Sequence, residues 1–492
     1  MALLPLSATE EEAQHVRGYT ILISSDTSKK PEWRKVAAAL QDKYKDAKVK
    51  IVKSLTEEAI CHALKETNGR YAALITQPEE TDRKLVLAMH RATRRLDDDI
   101  WGDCLWGIIT GHSAKDALRI AKAKKPLVIK RLLGTTNVGW HRFERSYCIT
   151  DWTYAPVLEQ TGYQEPTQTL YTDKTAKGRK VLKEGLQTLF AEELEKKKPQ
   201  LIVTSSHATQ FNLEMPFSRG LLFSADKHFY QLSPDKLPEF AKEILPACLS
   251  GNTEAAIKWA KKNNLPHIRP DGTTRVWLAA GNCLSGDVCN SGTSMAATAL
   301  SAYTCNQVVG YVVPSWYGAG GWGTLSTFMD NVAGTTLAQA WFLNNQMILA
   351  RTQALNPKLL GVHFNDPQFD PAALLKQMMD ACVPLVQEQL KDTFGLVHDR
   401  DVVAFLGDPA WSATPDEEHS NSPLRVVWSG SDSFTITANR HHVGPCAICF
   451  PPRVTNVTGC DAPTAICADN FILWQKLTLA AGEAKTVHLK KN

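Results

Sequence analysis

Apolar and polar positions follow two rhythms along this chain, and the change falls near residue 415. Upstream, apolar runs at Tyr19–Ser24, Val49–Val52, Tyr71–Thr76 and Leu105–Ile109 read as strands. Segments of helical spacing separate them at Pro31–Tyr44, Glu57–Lys65, Asp82–Leu96 and Ser113–Ala123. Such alternation predicts an α/β fold with a mostly parallel sheet covered on both faces. A second α/β stretch has strands at Ser146–Thr150, Leu201–Ser205, Val276–Ala280 and Val308–Val313. Its predicted helices are Lys174–Lys198, stopped by Pro199, then Lys236–Ile244, Thr253–Lys262 and Thr293–Ala302, with more over 323–353 and 371–391. After the polar, turn-rich segment 412–423, Leu424–Trp428, Ser433–Ala438, Phe471–Leu479 and Ala484–Leu489 read as strands of a small all-β, sandwich-like domain. The expected divisions are 1–144 and 145–415, both α/β, and 416–492, all β.

Composition narrows the function classes. Of 492 residues, 43% are hydrophobic and 22% charged, the balance of a folded soluble protein. A net charge of +4 gives no concentrated basic stripe, which argues against nucleic acid as a partner. The basic runs Lys122–Lys125 and Lys196–Lys198 sit at predicted helix ends, where cations are favourable. No apolar run reaches the length of a membrane span. Met1–Ala8 is too short for a signal peptide and has no basic start, so it reads as a frayed terminus. Of the twelve cysteines, the last four cluster at Cys446, Cys449, Cys460 and Cys467, open to disulfides, zinc or free thiols.

Two strand ends carry candidate chemistry. Leu201–Ser205 runs into Ser206 and His207, and Val276–Ala280 runs into Gly281, Asn282 and Cys283. Ligands of open parallel sheets bind outside the strands' carboxyl ends. If the two strands are neighbours, thiol and imidazole meet. A thiolate is then the nucleophile and the imidazole its base and later acid. The N–H groups of Cys283 and Ala208 are the oxyanion donors in this arrangement. Ser315, Trp316, Tyr317 and Trp322, set among glycines after the next strand, suit a mobile pocket wall, and Asn282 flanks the nucleophile as a further substrate-binding residue.

These blocks resemble the histidine and cysteine segments of the caspase-like clan of cysteine peptidases, and the gingipain family in particular. Asp103–Ile109, Ser146–Asp151, Val309–Trp316 and Ala404–Ala410, which contains Gly407-Asp408-Pro409, are similar in content and order to family segments. The resemblance spans about residues 100–411. It implies a catalytic part of two α/β subdomains, the second being 145–415, followed by an immunoglobulin-like β domain. It also implies thiol endopeptidase activity on protein or peptide substrates, with an acid, carried here onto Asp151, orienting His207. Glu144 is the second candidate for that acid. No redox or organic cofactor is implied, but structural calcium is, with Asp97, Asp99 and Asp103 as candidate ligands. A secreted or periplasmic setting is implied as well, while the lack of a signal peptide leaves the cytoplasm open. Two features depart from the family pattern. Ala208 stands where glycine usually follows the histidine, and the His207–Cys283 interval of 76 residues contains an apparent insertion at 232–272, read as a lid, a plug or a passive elaboration.

Two rival readings remain. Gly292-Thr-Ser294-Met-Ala-Ala-Thr298 resembles the subtilisin nucleophile motif, with Asp26 and His207 completing a serine-peptidase triad. Against it, the motif's usual proline is Thr298 and Asp26 is remote in sequence; Ser294 otherwise reads as a helix cap. The other rival is an inactive caspase-like scaffold, which Ala208 favours and the retention of His207 and Cys283 opposes.

Overall fold

The structure is a computed structural model. It describes residue 16 and residues 18–492, except 140–141, 150–155, 164–166, 171–173, 175, 251, 289–293, 364–370, 382–389 and 419–421. The predicted apolar runs form the strands β1 (Tyr19–Ser24), β2 (Lys48–Val52), β3 (Tyr71–Ile75) and β4 (Leu105–Ile109). They pair in parallel in the order β2-β1-β3-β4. Their helices are capped by side chains, such as Thr56 on the Ala59 N–H and Asp82 on the Leu85 N–H.

β5 (Leu127–Ile129) leaves this layer to pair with a strand from much later in the chain. The next strands are β6 (Arg131–Gly134), β7 (Arg145–Ile149), β8 (Pro156–Thr161), β9 (Thr167–Leu170) and β10 (Leu201–Thr204). A separate antiparallel sheet follows, made of β11 (Asn212–Glu214), β12 (Leu221–Ala225) and β13 (His228–Leu232). β14 (Arg275–Ala279), β15 (Cys305–Tyr311) and β16 (Val403–Gly407) return to the main sheet, and β17 (Ala413–Pro415) is the partner of β5.

One twelve-stranded sheet results, in the order β2-β1-β3-β4-β16-β15-β14-β10-β6-β7-β8-β9. β16 makes it continuous: it runs parallel to β4 and antiparallel to β15, and every residue of it is buried. β4 and β16 approach so closely that a Cβ on Gly107 would lie 2.2 Å from the Gly407 carbonyl oxygen. Since β6 pairs with β10 and β7, the second half of the sheet begins near residue 131 rather than at 145.

Two further differences have local causes. The long helix expected over Lys174–Lys198 is two, Ala176–Glu184 and Leu186–Lys197, because Gly185 adopts φ 93° between them. The segment 232–272 does not stand alone: Phe211, Phe223, Tyr230, Phe240, Trp259 and Leu265 share one hydrophobic core, while Leu213, Leu222 and Phe229 on the other face of β11–β13 belong to the main core.

The carboxy-terminal region is β as expected, with more strands than the pattern showed. β18 (Leu424–Ser429), β19 (Ser433–Ala438), β21 (Val457–Cys460) and β24 (Ala484–Lys491) form one sheet. β20 (His442–Cys449), β22 (Ile466–Cys467) and β23 (Phe471–Leu479) form the other. Phe434, Ile436, Trp474 and Val487 fill a core of their own with their neighbours.

Two buried carboxylates fasten the flanks of β16. Asp408 accepts from the Tyr19 hydroxyl at 2.9 Å and from the Tyr44 hydroxyl and Lys43 Nζ at 2.7 Å each. Asp401 pairs with Arg94 at 2.6 Å and Arg400 at 3.5 Å. Burial alone would raise the Asp401 carboxyl, but Arg94 and Arg400 outweigh it and hold the group well below the usual carboxylate range. A depressed folded pKa contributes stability that is present above the unfolded value and lost as pH falls. Asp401→Asn should therefore cost about 3–5 kcal/mol at neutral pH, because it leaves two buried guanidinium groups unpaired. The gap to wild type should narrow below about pH 4, where the unfolded carboxyl protonates. Urea-unfolding midpoints measured across pH check both statements.

Candidate active site

The site is built where β10 and β14 end side by side. Their register is parallel, with Leu201 opposite Val276 and Thr204 opposite Ala279, so the segments carrying His207 and Cys283 leave adjacent strands at the same edge. Asn282 ties them together. Its Oδ1 accepts from Thr204 Oγ1 at 2.5 Å, and its Nδ2 donates to the Ser206 carbonyl at 2.9 Å and to Ser206 Oγ at 3.1 Å. Fully buried and with its amide occupied, Asn282 braces the site; the expectation that it contacts substrate is corrected.

Past β10 the chain makes a tight hairpin. The Glu214 N–H donates to the His207 carbonyl at 2.9 Å, and the Thr209 N–H donates to the Asn212 carbonyl at 3.0 Å. These bonds flank the Ala208–Leu213 bridge and make it a non-hydrogen-bonded antiparallel pair. In such a pair each residue's own N–H points away from the partner strand. The Ala208 N–H therefore faces outward, and Ala208 is absent from the residues with positive φ. A glycine is not needed there. The His207 side chain is exposed and makes no hydrogen bond to Cys283 among the described residues.

Cys283 is half-buried. Its Sγ accepts from the Ser315 N–H at 3.3 Å and lies 3.5 Å from Ser315 Oγ, which itself donates to the Gly281 carbonyl at 2.9 Å. The chain turns sharply after it, with Leu284 at φ 58°, a left-handed conformation seldom taken by leucine. The Leu284 N–H donates to the Val313 carbonyl at 3.2 Å and the Gly286 N–H to Tyr311 at 2.9 Å, pinning the cysteine loop to the end of β15.

Beyond Ser315, Trp316 is 53% exposed, and its ring stacks 6.1 Å from that of His398. Tyr317 and Trp322 wall a cavity of about 650 Å³ with Thr136, Asn137, Arg351 and Asp392. The missing side chain at Gly281 makes room for this wall: a Cβ there would lie 2.9 Å from Trp322 Nε1. The cavity thus abuts the end of the cysteine strand.

A buried pair that the sequence reading missed supports the wall. His398 Nδ1 lies 2.6 Å from Asp399 Oδ1, and Asp399 Oδ2 accepts from the Tyr311 hydroxyl at 2.9 Å and the Gly320 N–H at 3.0 Å. Burial, with Asp399 beside it, pushes the Tyr311 hydroxyl well above its ordinary value. The signal available was the run His398-Asp399-Arg400-Asp401, too polar for a helix end that packs into a core.

Other expected residues fare differently. Asp151 lies outside the described residues. Glu144 precedes β7, whose parallel pairing with β6 puts its amino end at the edge away from the site, so Glu144 is not the orienting acid. Ser294 is fully buried and its hydroxyl accepts from the Ala297 N–H, the cap of helix Met295–Ser301. Asp26 is exposed beside Lys29 at the end of β1. The six strand spacings between β1 and β10 amount to about 29 Å. The serine-peptidase triad is therefore not assembled.

Asp97, Asp99 and Asp103 do gather, with carboxylate oxygens within 4.8 Å of one another. Both Asp103 oxygens are sheltered and have no hydrogen-bond partner among the described residues. Burial pushes Asp103 up to about 9, with Asp469, Asp97 and Asp99 adding to the shift. A hard divalent cation fits such a donor set.

No family model, curated protein or solved structure matches the chain. Among the described residues no helix is long and apolar enough to cross a membrane.

Removing the brace should weaken this part of the fold without touching Cys283. Asn282→Ala should lower stability by about 1–3 kcal/mol, because the Thr204 hydroxyl and Ser206 carbonyl lose their partner. Asn282→Asp should not restore it, since a carboxylate cannot donate to the Ser206 carbonyl. Unfolding midpoints of both variants check this.

Proposed function

We propose that the chain is a cysteine endopeptidase of the caspase-like clan, close to the gingipains, that cleaves peptide bonds through an acyl-enzyme. The observation that carries the reading is the parallel pairing of β10 with β14, from which the segments carrying His207 and Cys283 leave adjacent strands at one edge. Cys283 Sγ attacks the scissile carbonyl carbon. His207 takes the thiol proton and returns it to the leaving amine, and water then releases the acyl group. The N–H groups of Cys283 and Ala208 have no hydrogen-bond partner among the described residues and receive the oxyanion. Catalytic hydrogen bonds often tighten only when substrate is bound, which accords with an imidazole not yet on the thiol. In this reading Asp151 orients His207, as the family resemblance implies, and Ser315, Trp316, Tyr317 and Trp322 receive the substrate side chain. Asp97, Asp99 and Asp103 would hold calcium, which neutralises their mutual repulsion and fixes the loop that carries them.

Incubation of the wild type, Cys283→Ala and His207→Ala with a mixed peptide library tests the reading. Each variant should lose at least about a thousandfold in cleavage rate. Equal cleavage by wild type and Cys283→Ala places the nucleophile elsewhere, and no cleavage by any form favours the inactive scaffold. Calcium has its own test: a chelator should lower the wild-type melting temperature and leave Asp103→Asn unmoved.

A further inference from the structure

The four carboxy-terminal cysteines do not converge on one point. Cys446 and Cys449 lie three residues apart on β20, so their side chains leave opposite faces of the strand. Cys446 is part of the sandwich core, whereas Cys449 packs against the core of the main sheet. A tetrahedral zinc needs its ligands on one side. Among the described residues only Asp97, Asp99 and Asp103 form a group of three or more metal-ligating side chains, so the zinc alternative for these cysteines falls away.

The other two cysteines end edge strands that lie against each other, Cys460 on β21 and Cys467 on β22. The Cys460 thiol donates to the Ala462 carbonyl at 3.7 Å and the Cys467 thiol to the Ala468 carbonyl at 3.9 Å. Both are half-buried, within reach of a small oxidant, while Cys61, Cys104, Cys148, Cys248, Cys305 and Cys446 are buried. The position has a purpose in the fold. β21 is the edge strand of the sheet β18-β19-β24-β21, and β22 is the edge strand of the sheet β20-β23-β22. The thiol pair therefore spans the two layers of the sandwich along one open side, where hydrogen bonding of each layer runs out.

We infer that Cys460 and Cys467 are a disulfide-forming pair that staples the two sheets of the carboxy-terminal sandwich at their edges. The step needs an oxidised partner, for which a low-molecular-weight disulfide such as glutathione disulfide suffices. One protein thiolate attacks it, releasing one glutathione thiol. The second protein thiolate then displaces glutathione from the mixed disulfide. Two electrons and two protons leave the protein, and one glutathione disulfide becomes two thiols. Burial, with the Cys460 thiol beside it, pushes Cys467 up to about 12, so the exchange speeds up as pH rises.

The full chain is incubated with a glutathione disulfide–glutathione couple, alkylated, and digested without reduction by a protease that cuts before aspartate. Asp461 lies between the two cysteines and Asp469 beyond them, so a bridge joins the fragment Asp461–Ala468 to the fragment Asp432–Cys460, in which tandem fragmentation must find Cys446 and Cys449 alkylated and Cys460 linked. The expected result is this linked pair, with an intact mass lower by two hydrogens and restored by dithiothreitol. The melting temperature should fall on reduction in the wild type and not in the double variant Cys460→Ser, Cys467→Ser. Separate alkylation of both cysteines, a stable glutathione adduct on either, or a link from either to Cys449 overturns the inference. The mapping uses the wild type and stands even where the variant folds poorly.

Discussion

The molecule depends on one strand. β16 is only five residues long, yet it has β4 on one side and β15 on the other. Without it the chain would present two sheets with two raw edges, each a row of unpaired backbone groups. Its sequence, Val-Ala-Phe-Leu-Gly, offers apolar surface to both faces, and the carboxylates just outside it, Asp401 and Asp408, convert its ends into fixed points. Because β16 is antiparallel to β15 but parallel to β4, the two parallel halves run in opposite directions. The carboxyl ends of β10 and β14, where the chemistry is proposed, therefore lie at the edge opposite to the carboxyl ends of β1 to β4.

The proposed site is an arrangement of main chain more than of side chains. Asn282 ties the two strand ends together from inside, and the hairpin at Ala208 leaves that residue's N–H facing out. Alanine after the histidine is compatible with this because the residue is paired in an extended bridge, where a Cβ costs nothing. The aromatic wall is held by a buried histidine–aspartate pair rather than by its own glycines, which allows the wall to be glycine-rich and still shaped.

Much of the α/β part was legible in the sequence because buried parallel strands are continuous apolar runs, and Leu201–Thr204 and Arg275–Ala279 both announce themselves. His207 and Cys283 stood out as reactive groups at the ends of such runs. Less legible were strands whose pairing overrides their composition. β20 contains Gly444 and Pro445, residue types that weaken a strand interior, but they sit at a register shift, where a strand tolerates both. β11 has three residues, and β13 mixes His228 and Gln231 with its apolar positions. The role of Asn282 and the pairing of His398 with the aromatic wall were hidden because each depends on partners distant in sequence. No local spacing reports a hydrogen bond between residues more than seventy positions apart.

One face of β11–β13 shares a core with the helices that follow it, while Leu213, Leu222 and Phe229 on the other face join the core of the main sheet. The Phe229 N–H donates to the Tyr303 hydroxyl at 2.9 Å, and the two rings stack 4.3 Å apart just before β15. The segment that presents His207 is therefore tethered at both ends, to β10 on one side and through Phe229 to the approach of β15 on the other.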